Sequence, residues 1–260
     1  MFTKEQIKEH LAFFCRSGTA PVIVHTSLKS VGEIEGGGET FLAALIEYFT
    51  ENGGLLCIPT HTWISMKLDL KNPESCLGVL PTLAAKDLRG KRSLHPTHSM
   101  VVFGNSERAD EFLKNEPFTD TPTGPDSCYG NIYRENGYVL LIGVDQTKNT
   151  FLHCVEEMLG TPDRLTDYKV ERTIIHKDGR EEKRYLYWFD NKIDDVSVYF
   201  PKFEAPFRYF GCIEDGIIGN APVQMCSTRK MKEVIELIYK NNNFGELLDN
   251  DLSIDEKLYK

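Results

Sequence analysis

The chain has 260 residues, 41% hydrophobic and 27% charged, with a formal charge of −9. That size buries a sizeable core as a single domain over residues 1–260, and the negative balance argues against nucleic acid as a partner while suiting a cationic small molecule. No stretch reaches the ~18 uninterrupted apolar residues of a membrane span, and Met1-Phe2-Thr3-Lys4 leads into an amphipathic segment rather than a secretory leader, so no membrane partner and a cytoplasmic location are expected.

Residues 4–15 predict a helix and Pro21–His25 a strand. The strand runs into His25-Thr26-Ser27-Leu28-Lys29-Ser30-Val31-Gly32, and then Gly36-Gly37-Gly38 opens a helix over Glu39–Thr50. Glycines let the backbone approach a ligand, a helix start offers unpaired amides, and Ser27, Ser30 and Thr40 add hydroxyls, so the segment reads as a phosphate-cradling turn. The same glycines also serve as a plain turn into a helix. Neither Rossmann nor P-loop spacing is met, which disfavours NAD and ATP. A strand follows at Leu55–Pro59, with Trp63 beyond it placed either to stack on an acceptor ring or to pack in the core.

Pro81–Leu88 reads as a short helix, Ser99–Phe103 as a strand, Ser106–Lys114 as a helix capped by its serine, Tyr138–Val144 as a strand and Thr150–Leu159 as a helix. In His95-Pro96-Thr97-His98-Ser99 the proline keeps the two histidines off one helical face and no acidic or cysteine partner is near, so no metal is expected; Thr97 and Ser99 instead offer groups to a ligand. Seven cysteines, odd in number and without Cys-x-x-Cys, suggest neither a disulfide framework nor structural zinc. Alternating strands and helices with nearly all-apolar strands point to an α/β sheet covered on both faces. Asp178-Gly179 between Lys169–Lys177 and Arg180–Phe189 predicts an antiparallel hairpin, an insertion at about 165–190 placed to wall a substrate cleft. Ile217–Val223 reads as a strand or a loop beside one, and Thr228–Asn241 as a helix with Met231, Val234, Ile235 and Ile238 inward. An acidic, solvated tail is expected over about 244–260.

His153 falls in the first turn of its helix, with Glu156 and Glu157 three and four residues on, so either carboxylate can bond one ring nitrogen and leave the other for chemistry. A satisfied imidazole at a helix start is the alternative. Cys154 reads either as a nucleophilic thiol or as a small apolar residue on a buried face.

His25 to Gly32 with the glycine run, His95 to Ser99, Gly124 to Tyr133, Leu140-Leu141-Ile142-Gly143-Val144, Asn149 to His153 and Ile217 to Ala221, in that order, resemble the antibiotic N-acetyltransferases of the aminoglycoside 3-N-acetyltransferase type over about Val22 to Lys240. The resemblance implies a three-layer α/β/α sandwich with a mixed, largely parallel sheet, acetyl-CoA as co-substrate without a metal, and direct acetyl transfer to a primary amine. By the same resemblance Thr26, Ser27, Leu28, Lys29, Ser30, Val31 and Gly32, with Thr97, His98 and Ser99, line the coenzyme A site, and His153 supported by Glu156 is the general base. Trp63 and Glu157 are expected on the acceptor side, where a polycation would be met by carboxylates drawn from Glu116, Asp120, Asp126, Asp145, Glu156 and Glu157. Two alternatives stay open, an acyl-CoA thioesterase using a Cys or Ser nucleophile and a coenzyme A-binding protein without catalysis. Monomer and homodimer are equally compatible with the sequence.

Overall fold

A computed structural model describes residues 1–189, 195–242 and 250–260. In chain order it contains α1 (Lys4–Phe14), β1 (Pro21–Thr26), α2 (Leu28–Val31), α3 (Gly37–Thr50), β2 (Leu55–Pro59), β3 (Lys67–Asp69), α4 (Val79–Lys86), β4 (Lys91–Arg92), β5 (Met100–Phe103) and α5 (Ser106–Leu113). There follow α6 (Cys128–Arg134), β6 (Tyr138–Ile142), α7 (Phe151–Leu159), β7 (Val170–Ile175), β8 (Glu181–Leu186), α8 (Glu204–Tyr209), β9 (Ile213–Ile218), β10 (Ala221–Ser227) and α9 (Thr228–Asn241).

Seven strands form one mixed sheet in the order β4-β5-β2-β1-β6-β10-β9. Parallel pairing is confined to β2, β1 and β6 at its centre, while β5 and β4 on one side and β10 and β9 on the other run antiparallel to their neighbours. The expected largely parallel sheet is thus corrected to one with a parallel centre and antiparallel flanks. The reason is visible in β5, whose four residues are all buried; burial on both faces gives an antiparallel strand the same apolar run as a parallel one.

Alternation along the central strands sends side chains to two separate cores. Ile23, Leu55, Cys57, Val139 and Leu141 pack with Phe112, Tyr129, Ile132, Val155, Met231 and Ile235 from α5, α6, α7 and α9. Val22, Val24, Leu56, Ile58, Leu140 and Ile142 pack with Ile7, Leu11, Phe41, Leu45 and Leu80 from α1, α3 and α4. Each fully buried large apolar side chain contributes ~2 kcal/mol through loss of water contact. Local chemistry fixes the helix ends: Thr3 and Gln6 form a reciprocal capping box on α1, and Asn105 rather than the expected Ser106 caps α5 by accepting from Glu107 and Arg108 amides.

The predicted hairpin is present as β7 and β8, joined through Asp178-Gly179, and β3 adds to it in parallel to make a three-stranded sheet. The segment read as a strand or loop near Ile217 is instead a full hairpin, β9 and β10, turning at Gly219-Asn220. The acidic tail also differs from expectation where it is described: Ile254 and Tyr259 are buried in the same core as α9, while 244–249 lie outside the described residues. No described helix is long and apolar enough to cross a membrane.

Candidate active site

Because β1, β2 and β6 run parallel, their carboxyl ends share one edge of the sheet, where ligands of α/β sheets gather. A cavity of about 670 Å³ opens there, lined by Val24, His25 and Thr26 at the end of β1, by Pro59 and His61 at the end of β2, and by Val144 and Thr147–Thr150 after β6. His153 on α7 forms part of its wall.

The His153 ring is held from behind. Its Nδ1 lies 3.0 Å from Glu156 Oε2, and Glu156 Oε1 accepts from Arg164 Nε at 2.7 Å. Glu156 is only 3% exposed, so its charge sits away from water and the guanidinium compensates it. A carboxylate only accepts hydrogen bonds, so Nδ1 carries the proton and, in the neutral ring, Nε2 keeps its lone pair. Phe189 and Phe200 flank the imidazole with ring centroids at 5.0 and 4.9 Å.

Three more imidazoles line the cavity, His25, His61 and His98. Burial pushes His25 down to about 3, and burial together with mutual repulsion among the histidines holds His61 and His98 well below the ordinary value, so all three are neutral at pH 7. His61 Nε2 bonds the Tyr129 hydroxyl at 2.6 Å, and the Cys76 thiol and amide both donate to the His61 carbonyl. His95 lies outside the cavity and is structural: its Nδ1 accepts from the amides of Thr97 and His98, and its Nε2 donates to the Thr121 carbonyl. Among the described residues no group of three or more histidine, cysteine or acidic side chains is placed to hold a metal ion.

His25 Nε2, Thr26 Oγ1 and Asn149 Oδ1 are buried, belong to residues lining the cavity, and have no hydrogen-bond partner. Unpaired buried polar atoms are costly, and these three are closed to solvent within the cavity wall, so a ligand meets them only if the wall shifts to expose them.

Several residues expected in the site stand away from this cavity. Thr97 and Ser99 are fully enclosed: Thr97 Oγ1 bonds His98 Nδ1 at 3.1 Å, and Ser99 Oγ donates to the Thr60 carbonyl at 2.9 Å while accepting from Arg92. The Ser99 hydroxyl ties the start of β5 to the end of β2, the Thr97 hydroxyl stays within its own loop, and neither residue lines the cavity. Of the loop after β1 only Thr26 lines it; Ser27 and Ser30 bond each other, Lys29 points to solvent, Leu28 and Val31 anchor α2 in a core, and Gly32 packs against Asn220. Gly38 serves packing, since a Cβ there would stand 2.7 Å from Leu83 of α4. Glu157 accepts from the Thr123 amide and hydroxyl and does not line the cavity. Trp63 and His98 do line it. Cys154 is fully buried and desolvation raises its thiol well above the ordinary value, which removes the nucleophile reading.

Sequence reasoning missed His61, Arg164, Trp188 and Phe189. Trp188 and Phe189 leave the end of β8, so the wall assigned to the hairpin is formed by its exit rather than by its strands. An aromatic pair closing a charged ribbon was the available signal for them; Arg164 had none, because its partner lies on another element.

The fold and site place this chain among mixed α/β proteins with a carboxylate-steered imidazole on a cavity at the carboxyl edge of the sheet. A sequence model described as aminoglycoside 3-N-acetyltransferase matches residues 23–239, and the chain belongs to that family. It is 27% identical over 178 residues to the SPbeta prophage-derived aminoglycoside N(3')-acetyltransferase-like protein YokD of Bacillus subtilis (strain 168), a match spanning 59% of this chain and 64% of that protein, less than two thirds of its length. Aminoglycoside N(3)-acetyltransferase VII of Streptomyces paromomycinus is 28% identical over 214 residues, covering 73% of this chain and 72% of its own. The fold matches that of AAC-IIIb in its binary complex with CoASH, with a TM-score of 0.78 at 21% identity over 94% of this chain and 98% of that one.

Proposed function

We propose that this chain is an acetyl-CoA-dependent N-acetyltransferase that moves acetyl directly to a primary amine of an aminoglycoside-like antibiotic or related amine, with His153 as general base. The reading carries with it a single three-layer α/β/α domain working in the cytoplasm. Its main support is the contact between His153 Nδ1 and Glu156 on the cavity wall, which frees Nε2 to accept a proton.

Acetyl-CoA supplies the thioester carbonyl that the amine attacks. A primary amine enters chiefly as its ammonium ion, which is not nucleophilic, so a proton must leave it. His153 Nε2 accepts that proton, directly or through water, and Glu156 steadies the charged ring. Arg164 keeps Glu156 from rotating away. Thr26, Asn149 and His25 stand in the cavity wall, and their unpaired polar atoms meet a ligand only where the wall shifts to expose them. A hydrogen-bond donor aimed at the charge developing on the reacting carbonyl is worth ~3 kcal/mol, a part open to the Thr26 hydroxyl and not to Asn149 Oδ1, which only accepts.

His153→Ala is expected to lower acetyl transfer by about 100-fold, while acetyl-CoA affinity measured by calorimetry changes little. Near-normal turnover in this variant overturns the base assignment. Thiol release without any amine would instead indicate a thioesterase, and binding without release a non-catalytic protein.

A further inference from the structure

We infer that His61 is a second catalytic residue, donating a hydrogen bond from Nδ1 to the acetyl carbonyl oxygen while His153 takes the proton, and that Tyr129 positions it for this part; the inference rests on the acetyl-transfer reading above. The backbone around His61 is pinned. β2 ends at Pro59, yet its pairing with the chain before β5 continues, since the Thr60 amide donates to the Ser99 carbonyl and the Thr62 amide to the Thr97 carbonyl, both at 2.8 Å. Thr60 and Thr62 therefore share one side of the chain and the His61 side chain leaves by the other. The His61 carbonyl accepts from the Cys76 amide at 2.9 Å, and Arg92 donates to the Thr60 carbonyl at 2.7 Å. So fixed at the carboxyl end of β2, His61 lines the same cavity as His153.

Proton accounting settles the tautomer. Tyr129 is fully enclosed, and among the described residues its hydroxyl has one hydrogen-bond partner, His61 Nε2 at 2.6 Å. If the phenol accepted this bond, its own O–H would be buried with nothing to donate to. Donating it satisfies the hydroxyl and Nε2 together. The neutral His61 ring then carries its proton on Nδ1. That nitrogen has no hydrogen-bond partner among the described residues, and unlike His25 Nε2 it is not one of the orphaned atoms closed to solvent. It is left as a donor for a ligand in the cavity.

The two imidazoles are thus set in opposite senses. Glu156 accepts from His153 Nδ1 and leaves Nε2 with a lone pair, whereas Tyr129 donates to His61 Nε2 and leaves Nδ1 with a proton. During transfer the amine nitrogen bonds to the carbonyl carbon and its proton passes to His153 Nε2. The carbon–sulfur bond then breaks with its electron pair on sulfur, which takes up that proton as free thiol. Negative charge builds on the carbonyl oxygen before that bond breaks, and His61 Nδ1–H meets it without giving up its own proton. Burial and the neighbouring histidines keep His61 neutral, so it does not repel the charge arriving on His153.

The test pairs infrared spectra of bound acetyl-CoA, carrying carbon-13 at the thioester carbonyl, with thiol release toward kanamycin, gentamicin and neomycin. A hydrogen bond lowers the carbonyl stretching frequency. The wild-type band is expected below that of free acetyl-CoA, and His61→Ala is expected to return it toward the free position and to lower kcat about 100-fold with the acetyl-CoA KM within about 2-fold. His61→Asn, whose amide nitrogen takes the place of Nδ1, is expected to keep the lowered band and recover most of the lost kcat. Tyr129→Phe retains the packed ring and is expected to lower kcat about 10-fold and to change the imidazole nitrogen-15 resonances of His61, the signature of a changed tautomer. A band that stays the same in wild type and His61→Ala overturns the donor assignment while leaving acetyl transfer and His153 standing. Unchanged nitrogen-15 resonances in Tyr129→Phe overturn the positioning role. A band lowered through His61 with no thiol released toward any of the three amines overturns the transfer reading, and the catalytic role of His61 with it.

Discussion

At residue scale Glu156 carries two tasks, orienting His153 and compensating Arg164, and two substitutions separate them. Glu156→Gln keeps the shape but removes the carboxylate acceptor that orients His153 through Nδ1, so kcat is expected to fall by about 10- to 100-fold with a small change in melting temperature. Glu156→Ala also removes the hydrogen bond that the buried Arg164 donates and is expected to cost ~2 kcal/mol in urea denaturation. The buried imidazoles set a second expectation. Burial lowers His25 and His95 from 6.5 to about 3, so between those values the unfolded chain binds protons that the folded protein does not. Their contribution is complete above pH 6.5 and is lost as pH falls toward 3. Moving from pH 7 to pH 5 is expected to cost ~2 kcal/mol for each, read as a shift of the urea midpoint.

At the scale of elements, the end of β6 and the loop after β1 are fitted to each other. Gly143 has φ +63, and a Cβ there would collide with the Ser30 side chain, whose hydroxyl also bonds the Gly143 carbonyl. Gly143→Ala is expected to destabilise the protein by ~2 kcal/mol in urea denaturation and to raise the KM for acetyl-CoA, because displacing Ser30 shifts Thr26. The local signals were readable where one period or one turn decided the outcome, as in the inward Phe41, Leu45 and Phe49 of α3 or the Asp178-Gly179 hairpin. Other features had no local trace. Strand direction in β5 and β10 depends on the partner, and acidic Glu214 and Asp215 obscured the hairpin pattern of β9. The site divides the same way: His153 and Glu156 meet across one helical turn and were legible, whereas Arg164 and the aromatic wall converge through tertiary packing. The enclosure of Thr97 and Ser99 left no trace either, because an enclosed hydroxyl and a ligand-facing one look identical in sequence.

For the whole molecule, the central sheet separates two cores, and the carboxyl-terminal segment closes one of them. Ile254 and Tyr259 pack into the core beside α9, and the Tyr259 ring lies 5.8 Å from Tyr209 of α8. Ending the chain after Asn242 is therefore expected to lower stability by ~3 kcal/mol, seen as a reduced melting temperature, although these residues do not line the cavity. The second sheet has another role. It lies outside the seven-stranded array and brings its aromatic end to the cavity, so its substitutions should alter amine preference before they alter the fold.

The uneven enclosure of the seven free sulfhydryls has a practical outcome. Six are sealed inside, and Cys76 alone is partly open, tied to the backbone of His61 at the cavity. Ellman's reagent should reach Cys76 ahead of the other six in the native protein, at a rate slowed because burial raises its thiol, and a fluorophore attached there would report occupancy of the cavity beside His61 without any engineered anchor.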